Sequence, residues 1–396
     1  MSRIKTFTTV KNAMITDPFY PRCRINGTNP YDEKIMSMPS IITSDGALSA
    51  RALSPPNTHE TIRGNYFFFV FNFENYYHFL YDTLPYLYFY FAASCSHIDL
   101  KLLIAADHKF LPFQIEMLNL LGLREEHFVR AEDNKCYENI IIPTSLTHGH
   151  SSSSSSCSNE VPEEEAYYIW RLLARPIPKS PFSSSKKKIY ISRRSHLHNN
   201  TSNIGTNYTT RRRCINEDDV VDLLLQHGYT EVFTENLTTE EKINLFANAT
   251  HVAGFIGGGL ANLLFSLPST IVTCIETPDF LSINQRFVHS MNHTRITYLP
   301  ITKHSPFNGP WPLYTRCKIK ATNQIGEIMD WHTTYYSLQV AEKPVAGFSL
   351  NDTFITVNAT PEELEPLDGG LNSPFICDIE SLRKHLESIS ESESEK

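Results

Sequence analysis

The chain has no uninterrupted apolar run long enough to span a bilayer. Its opening residues, MSRIKTFTTVKNAM, carry no apolar core of signal-peptide length. The expectation is a soluble, cytoplasmic protein with no integral membrane segment. Tyr66–Phe73 is apolar but only strand-sized, and without an entry signal the Asn-x-Ser/Thr triplets at Asn200, Asn207, Asn236, Asn248 and Asn292 read as chance matches. Cys-x-x-Cys is also missing. The eight cysteines, Cys23, Cys95, Cys136, Cys157, Cys214, Cys274, Cys317 and Cys377, are scattered, which excludes a zinc framework and a dense disulfide scaffold. Cys274, inside an apolar strand, reads as a small buried residue. His148, His150 and Cys157 flank the serine run Ser151–Ser156, a loop without fixed ligand geometry, so no metal site is expected there. Excess positive charge is lacking too. A net charge of −8 excludes a nucleic-acid binder and a basic membrane-surface protein, and the runs Lys186–Lys188 and Arg211–Arg213 read as solvated surface. No solenoid repeat is present.

What the chain does have is a glycine turn between two buried strands. THVAGFIGGGLANLLFSLPSTIVTCIE, Thr250–Glu276, reads as strand, turn, helix start and second strand, closing on a carboxylate. Gly257, Gly258 and Gly259 have no Cβ, so the backbone can turn sharply and let a ligand approach closely. The helix expected over Leu260–Ser266 aims unpaired N–H groups and its positive dipole end into that turn. An anionic group, most often a phosphate, is the natural occupant, with Asn262 on the helix's first turn and Glu276 placed for ribose hydroxyls. Glycine at a tight strand–helix connection also has a purely geometric reading. The flanks shift the balance. Lys187–Ile191 reads as a strand whose exit, Ser192-Arg193-Arg194, can clamp phosphate. Asn216–Tyr229 reads as an amphipathic helix with an acidic first turn, Thr230–Phe233 as a strand, and Glu235–Ala249 as containing a second helix. That order predicts a parallel sheet with crossover helices.

These motifs carry a resemblance. "IYISRR", "NEDDVVDLLLQHGYTEV", "ENLTTEEKINLFANATHVAGFIGGGLANLLF" and "IVTCIE", with "NYYHFLYDTLPYL" at Asn75–Leu87, resemble the family-61 glycosyltransferases over roughly residues 65–300. The resemblance implies a GT-B fold, two Rossmann-like doubly wound α/β domains facing a cleft. It also implies transfer of a sugar with inversion from a nucleotide donor, UDP-linked, to a glycan or glycoprotein hydroxyl, with no cofactor and no required metal. One departure stands out. The family's turn usually reads His-Gly-Ala-Gly, whereas here Ile256 replaces the histidine and Gly258 the alanine.

Within that frame the chain divides into a proline- and turn-rich leader at 1–60, an acceptor-side domain at 61–175, and a Pro/Ser-rich linker at 176–186. A donor domain at 187–300 and an extension at 301–396 follow. The first domain is expected to hold strands at Asn65–Phe73, Leu100–Ala105 and Asn139–Ile142, and helices at Asn75–Ala93, Pro112–Leu121 and 161–175. The extension is expected to hold a strand at Leu350–Val357, a short helix at Pro361–Glu365 and a helix at Ile376–Ser390. His78 and Asp82, four residues apart, fall on one helix face. An inverting transferase needs a group that removes the proton of the attacking hydroxyl, and either of the two can be that base or orient it. A hydrogen-bonded pair pinning the helix to the sheet is the structural alternative. Two other functions remain open. Gly254, Gly257 and Gly259 with Glu276 also fit a dinucleotide-dependent oxidoreductase, and the Ile256 departure fits a non-catalytic sugar-nucleotide-binding protein.

Overall fold

The protein is described here by a computed structural model covering residues 7–14, 60–69, 76–104, 109–132, 135–143, 146–147, 162–175, 187–194, 214–278, 295–304, 316–332, 334–341, 354–366 and 374–394. The rest of the leader, the histidines His148 and His150 with Cys157, the serine run, the 176–186 linker and Arg211–Arg213 lie outside these residues.

The first sheet is built from β1 (Phe7–Met14), β2 (Thr61–Phe68), β3 (Lys101–Ile104), β4 (Phe128–Arg130) and β5 (Cys136–Pro143), in the spatial order β1-β5-β2-β3-β4. Four strands are parallel, and β1 runs antiparallel to β5 along one edge. The leader is therefore not wholly irregular, since Phe7–Met14 supplies an edge strand. Tyr66, Phe67, Phe68 and Phe69 are all buried, as expected of a strand covered on both faces.

Between β2 and β3 the chain forms a composite helical run rather than one α-helix. It comprises a single α-turn, α1 (Tyr76–His78), a π-helical segment at Phe79–Thr83, a 3-10 turn at Leu84–Tyr86, and α2 (Leu87–Ser94). Pro85 is the physical reason for the break. It has no N–H to donate and its ring opposes the carbonyl one turn back, so regular α geometry cannot pass through it. α3 (Pro112–Leu120) and α4 (Glu164–Ala174) complete this half close to their expected bounds.

The second sheet contains β6 (Lys187–Ile191), β7 (Tyr229–Val232), β8 (Ala249–Phe255), β9 (Ile271–Ile275) and β10 (Arg295–Leu299). All are parallel, in the order β7-β6-β8-β9-β10. Strand order thus reverses between β6 and β8, the switch point of a doubly wound sheet. The crossovers are α5 (Glu217–Gln226) and α6 (Thr239–Asn248). Thr238 caps α6 by accepting the Glu241 N–H at 3.2 Å, while Glu241 accepts the Thr238 N–H at 2.8 Å. The two bonds form a capping box, Thr238-x-x-Glu241.

One continuous apolar core joins the two halves. Phe67, Phe79, Leu80, Met117 and Trp170 from the first half pack in the same cluster as Ile189, Phe246, Leu260 and Val272 from the second. Trp170 on α4 donates its indole N–H to the Leu80 carbonyl at 2.8 Å, and its ring stacks on Tyr81 at 5.4 Å. Each fully buried Phe or Leu here contributes about 1.5–3 kcal/mol. The opposite face of the second sheet is covered by α5 and by α7 (Ile379–Ser394), with Tyr190, Phe255, Val220, Leu224, Leu382 and Leu386 in one cluster.

The extension holds more β-structure than the sequence reading anticipated. β12 (Arg316–Ile319), β13 (Ile325–Trp331), β14 (Tyr336–Ala341), β15 (Phe354–Ala359) and β16 (Leu364–Pro366) form an antiparallel sheet in the order β15-β14-β13-β12-β16. The helix expected at Pro361–Glu365 is a 3-10 turn, Pro361–Glu363, running into β16. A two-stranded pair, β11 (Thr302–His304) with β17 (Phe375–Cys377), links the extension to the second sheet. Asn216 fixes that link, since its Nδ2 donates to the Cys377 carbonyl and its Oδ1 accepts the Cys377 N–H, both at 2.9 Å. Cys214, Cys274, Cys317 and Cys377 are free and buried. Among the described residues no helix is long and apolar enough to cross a membrane.

Candidate active site

The glycine turn closes β8, and Arg193 follows the exit of β6, the two strands that flank the switch point. In open α/β sheets ligands bind outside the carboxyl ends of strands at this position. The turn leads directly into a 3-10 helix, Gly258–Phe265, where a short α-helix is expected from the sequence.

The glycines of the turn do different things. A Cβ on Gly259 would sit 2.8 Å from Ile191 Cγ2, and one on Gly254 3.2 Å from Ile191 Cβ, so both residues let the turn and β8 pack closely against β6. A Cβ on Gly257 would meet Arg193 Nη1 at 3.0 Å, so Gly257 makes room for the guanidinium. Gly258 is the open position. The nearest protein atom to a Cβ there is Tyr77 Cβ at 4.0 Å.

Arg193 is held by a residue the sequence reading passed over. Glu217, the first residue of α5, is buried, and its Oε1 accepts the Arg193 N–H at 2.7 Å, the Tyr190 hydroxyl at 2.9 Å and the Ser192 hydroxyl at 3.1 Å. Burial raises the Glu217 pKa, and these three donors with the nearby Arg193 charge oppose the rise. Burial likewise lowers the Arg193 pKa, with Glu217, Tyr190 and Glu235 opposing it. A signal for Glu217 was present. It falls on the stripe of Val220, Val221 and Leu224, the buried face of the helix, where a carboxylate needs a partner.

Arg194 points to a different set of partners. Its Nε and Nη2 engage both Glu231 oxygens at 2.8 and 2.9 Å, and its Nη1 contacts Asp218. Those carboxylates, led by the hydrogen bonds to Glu231, raise the guanidinium's pKa. Asn262 is buried inside the turn, where its Nδ2 donates to the Gly259 carbonyl at 2.9 Å and its Oδ1 accepts the Tyr76 hydroxyl at 2.5 Å. Glu276 lies one strand over, past the end of β9. Its N–H is bonded to the Leu299 carbonyl at 3.0 Å, and burial raises its carboxyl pKa. Ile256 is fully buried in the shared core, so the position preceding the glycines contributes packing.

The helical run from the first half abuts this turn through Tyr76 and Tyr77. His78 closes α1 and Asp82 lies in the π-helical segment, so the backbone places both on the run that touches the turn. Their side chains lie outside the described residues. π-helical segments are rare and recur at functional sites. Among the described residues no group of three His, Cys, Asp or Glu side chains is placed to hold a metal ion.

The dinucleotide reading would put the glycine motif after the first strand of its sheet. Here it follows β8, and Gly254 is a packing residue within that strand. No curated protein matches the chain. The family described as Glycosyltransferase 61 matches residues 76–273, half of the 396-residue chain, from the composite helical run through the glycine turn into β9. The chain belongs to glycosyltransferase family 61 and is by that membership a glycosyltransferase.

Proposed function

We propose that the protein is an inverting, metal-independent transferase of GT-B type that uses a UDP-linked sugar and a glycan or protein hydroxyl acceptor. In this reading residues 61–175 serve the acceptor side and 187–300 the donor side. The observation that carries it is the Arg193 guanidinium lying over Gly257 at the switch point, next to the open face of Gly258. The donor diphosphate would sit against that face, facing Arg193 and the N–H groups of the turn, and Glu276 would take ribose hydroxyls. Arg194, bound to Glu231 and Asp218, serves the fold.

The chemistry then follows from charge. The acceptor oxygen attacks the anomeric carbon while Asp82 or His78 removes its proton. The bond from that carbon to the donor phosphate breaks, and the nucleoside diphosphate leaves with the electron pair. Arg193 and the turn stabilise the negative charge that develops on it. A non-catalytic binding protein, which the Ile256 departure leaves open, is the second reading.

A donor-hydrolysis screen across UDP- and GDP-sugars separates the two, since nucleotide release reports the donor without knowledge of the acceptor. Turnover of one UDP-sugar, unchanged by a chelator, is the expected result. Saturable UDP binding without turnover would establish the second reading, and turnover of GDP-sugars alone would overturn the donor assignment.

A further inference from the structure

Three side chains distant in sequence meet beneath the glycine turn. The Tyr76 hydroxyl donates to Asn262 Oδ1 at 2.5 Å, and Asn262 Nδ2 donates to the Gly259 carbonyl at 2.9 Å. Lys242 on α6 places its Nζ 4.6 Å from the centroid of the Tyr76 ring. Lys242 is 1% exposed, and its Nζ has no hydrogen-bond partner among the described residues. A buried ammonium over an aromatic face is a cation–π contact, stronger when desolvated. Phe113 packs against Tyr76 at 5.3 Å, which further limits the ring's freedom. α6 is itself tied to the first half, because Glu116 on α3 accepts the N–H and hydroxyl of Thr239 at 2.7 and 2.8 Å.

We infer that Tyr76, Asn262 and Lys242 form a positioning latch that sets the helical run bearing His78 and Asp82 in register with the glycine turn. Tyr76 opens that run, two residues before His78. Its hydroxyl reaches the turn through one intermediary, Asn262, and its ring is gripped by a residue of the second half. Buried side-chain hydrogen bonds have defined geometry, so loss of this one lets the run shift while the apolar core around it persists. The three residues are assigned no contact with substrate. The inference rests on the proposed reading that the turn holds the donor and the run holds the base. Displacing a reacting group by about 1 Å can cost roughly a hundredfold in rate, so a small shift is enough to matter.

Tyr76→Phe removes only the hydroxyl, and Lys242→Met keeps the stem without the charge. Both full-length variants should bind UDP within about twofold of wild type and keep their donor KM, while kcat falls about ten- to hundredfold. Amide exchange over residues 76–86, measured without ligand, should accelerate in both. Unchanged kcat and exchange with only a lower melting temperature would overturn the latch and leave a structural pin. A loss of UDP affinity as large as the loss of kcat would overturn it too, by placing these residues in the donor pocket. Absence of UDP binding and of turnover in the wild type would defeat the donor-site reading. The exchange of unliganded Tyr76→Phe then decides the latch alone, with wild-type rates overturning it.

Discussion

Arg193 and Arg194 are adjacent in the chain and make different contacts. Arg194 spends its fork on Glu231 and adds Asp218, a set of pairs complete without a ligand. Arg193 is positioned through its backbone by Glu217, with its guanidinium over Gly257. Arg193→Ala should weaken UDP binding by about 1.5–3 kcal/mol, the range for a charged hydrogen bond to phosphate. Arg194→Ala should leave UDP affinity unchanged and lower the melting temperature instead. Titration calorimetry with thermal melts checks both, and equal losses of affinity would show that the donor reaches past Arg193. From the sequence only one of the pair is expected to matter, because adjacent strand residues point to opposite faces, and nothing in Ser192-Arg193-Arg194 tells which arginine the downstream Glu231 claims. Lys242 offers a second test. Burial pushes its ammonium down to about 8 from 10.5, against the pull of Glu116, Glu235 and Glu241. Between those two values the unfolded chain keeps a proton that the folded chain has released, so this group makes stability rise with pH across the window. Below about pH 8 the ammonium is charged in both states, and the cost of burying it, on the order of 3 kcal/mol, is in full force. The stability of Lys242→Met relative to wild type should therefore fall as pH rises from about 8 to 10.5, as followed by chemical denaturation. A constant difference would mean that the buried lysine does not titrate in this window.

The glycine turn and the composite helical run are the elements of the proposed site, and they were unequally legible. The turn was read from its glycines and its two apolar strands, because tight turns limit which residues can occupy them. Its helix came out as 3-10 rather than α, a distinction of hydrogen-bond register that the apolar run LANLLF does not encode. The run at Asn75–Ala93 was read as one helix, with Pro85 inside it. The structure resolves that conflict by changing helix type on both sides of Thr83. Asp82 lies in the π segment so produced, and Asp82→Asn keeps the size of the side chain while removing a base at neutral pH. Transfer should fall by about two to four orders of magnitude, the range for general base catalysis, with UDP affinity within about twofold. His78→Ala should lose a similar factor if the two act as a unit, and the double variant should be little worse than either alone. Near wild-type transfer rates with a lower melting temperature would make the pair structural and move the base elsewhere.

At the scale of the molecule, the order of parallel strands and crossover helices was visible as alternating apolar runs and amphipathic stretches, and the family match covers that region. The antiparallel sheet of the extension was not anticipated. Its inward positions, such as Tyr336, Leu338 and Val340, do alternate, but β12 and β16 span only four and three residues. The β12–β13 hairpin turns through Asn323 at φ 57°, a left-handed position filled by Asn-Gln rather than Asn-Gly. The packing of one half on the other was equally hidden. Contacts such as Tyr76 to Asn262 and Glu116 to Thr239 join residues more than a hundred positions apart, and local patterning does not record them. The two halves nevertheless meet at one place, the open face of Gly258 between Arg193 and the helical run. Calorimetric titration of UDP into the wild type and Gly258→Val tests that face as the proposed donor site most directly. Saturable binding to the wild type, lost in a variant with a near-native melting temperature, is the predicted result. Equal affinity in the two proteins would contradict the account by placing the donor elsewhere.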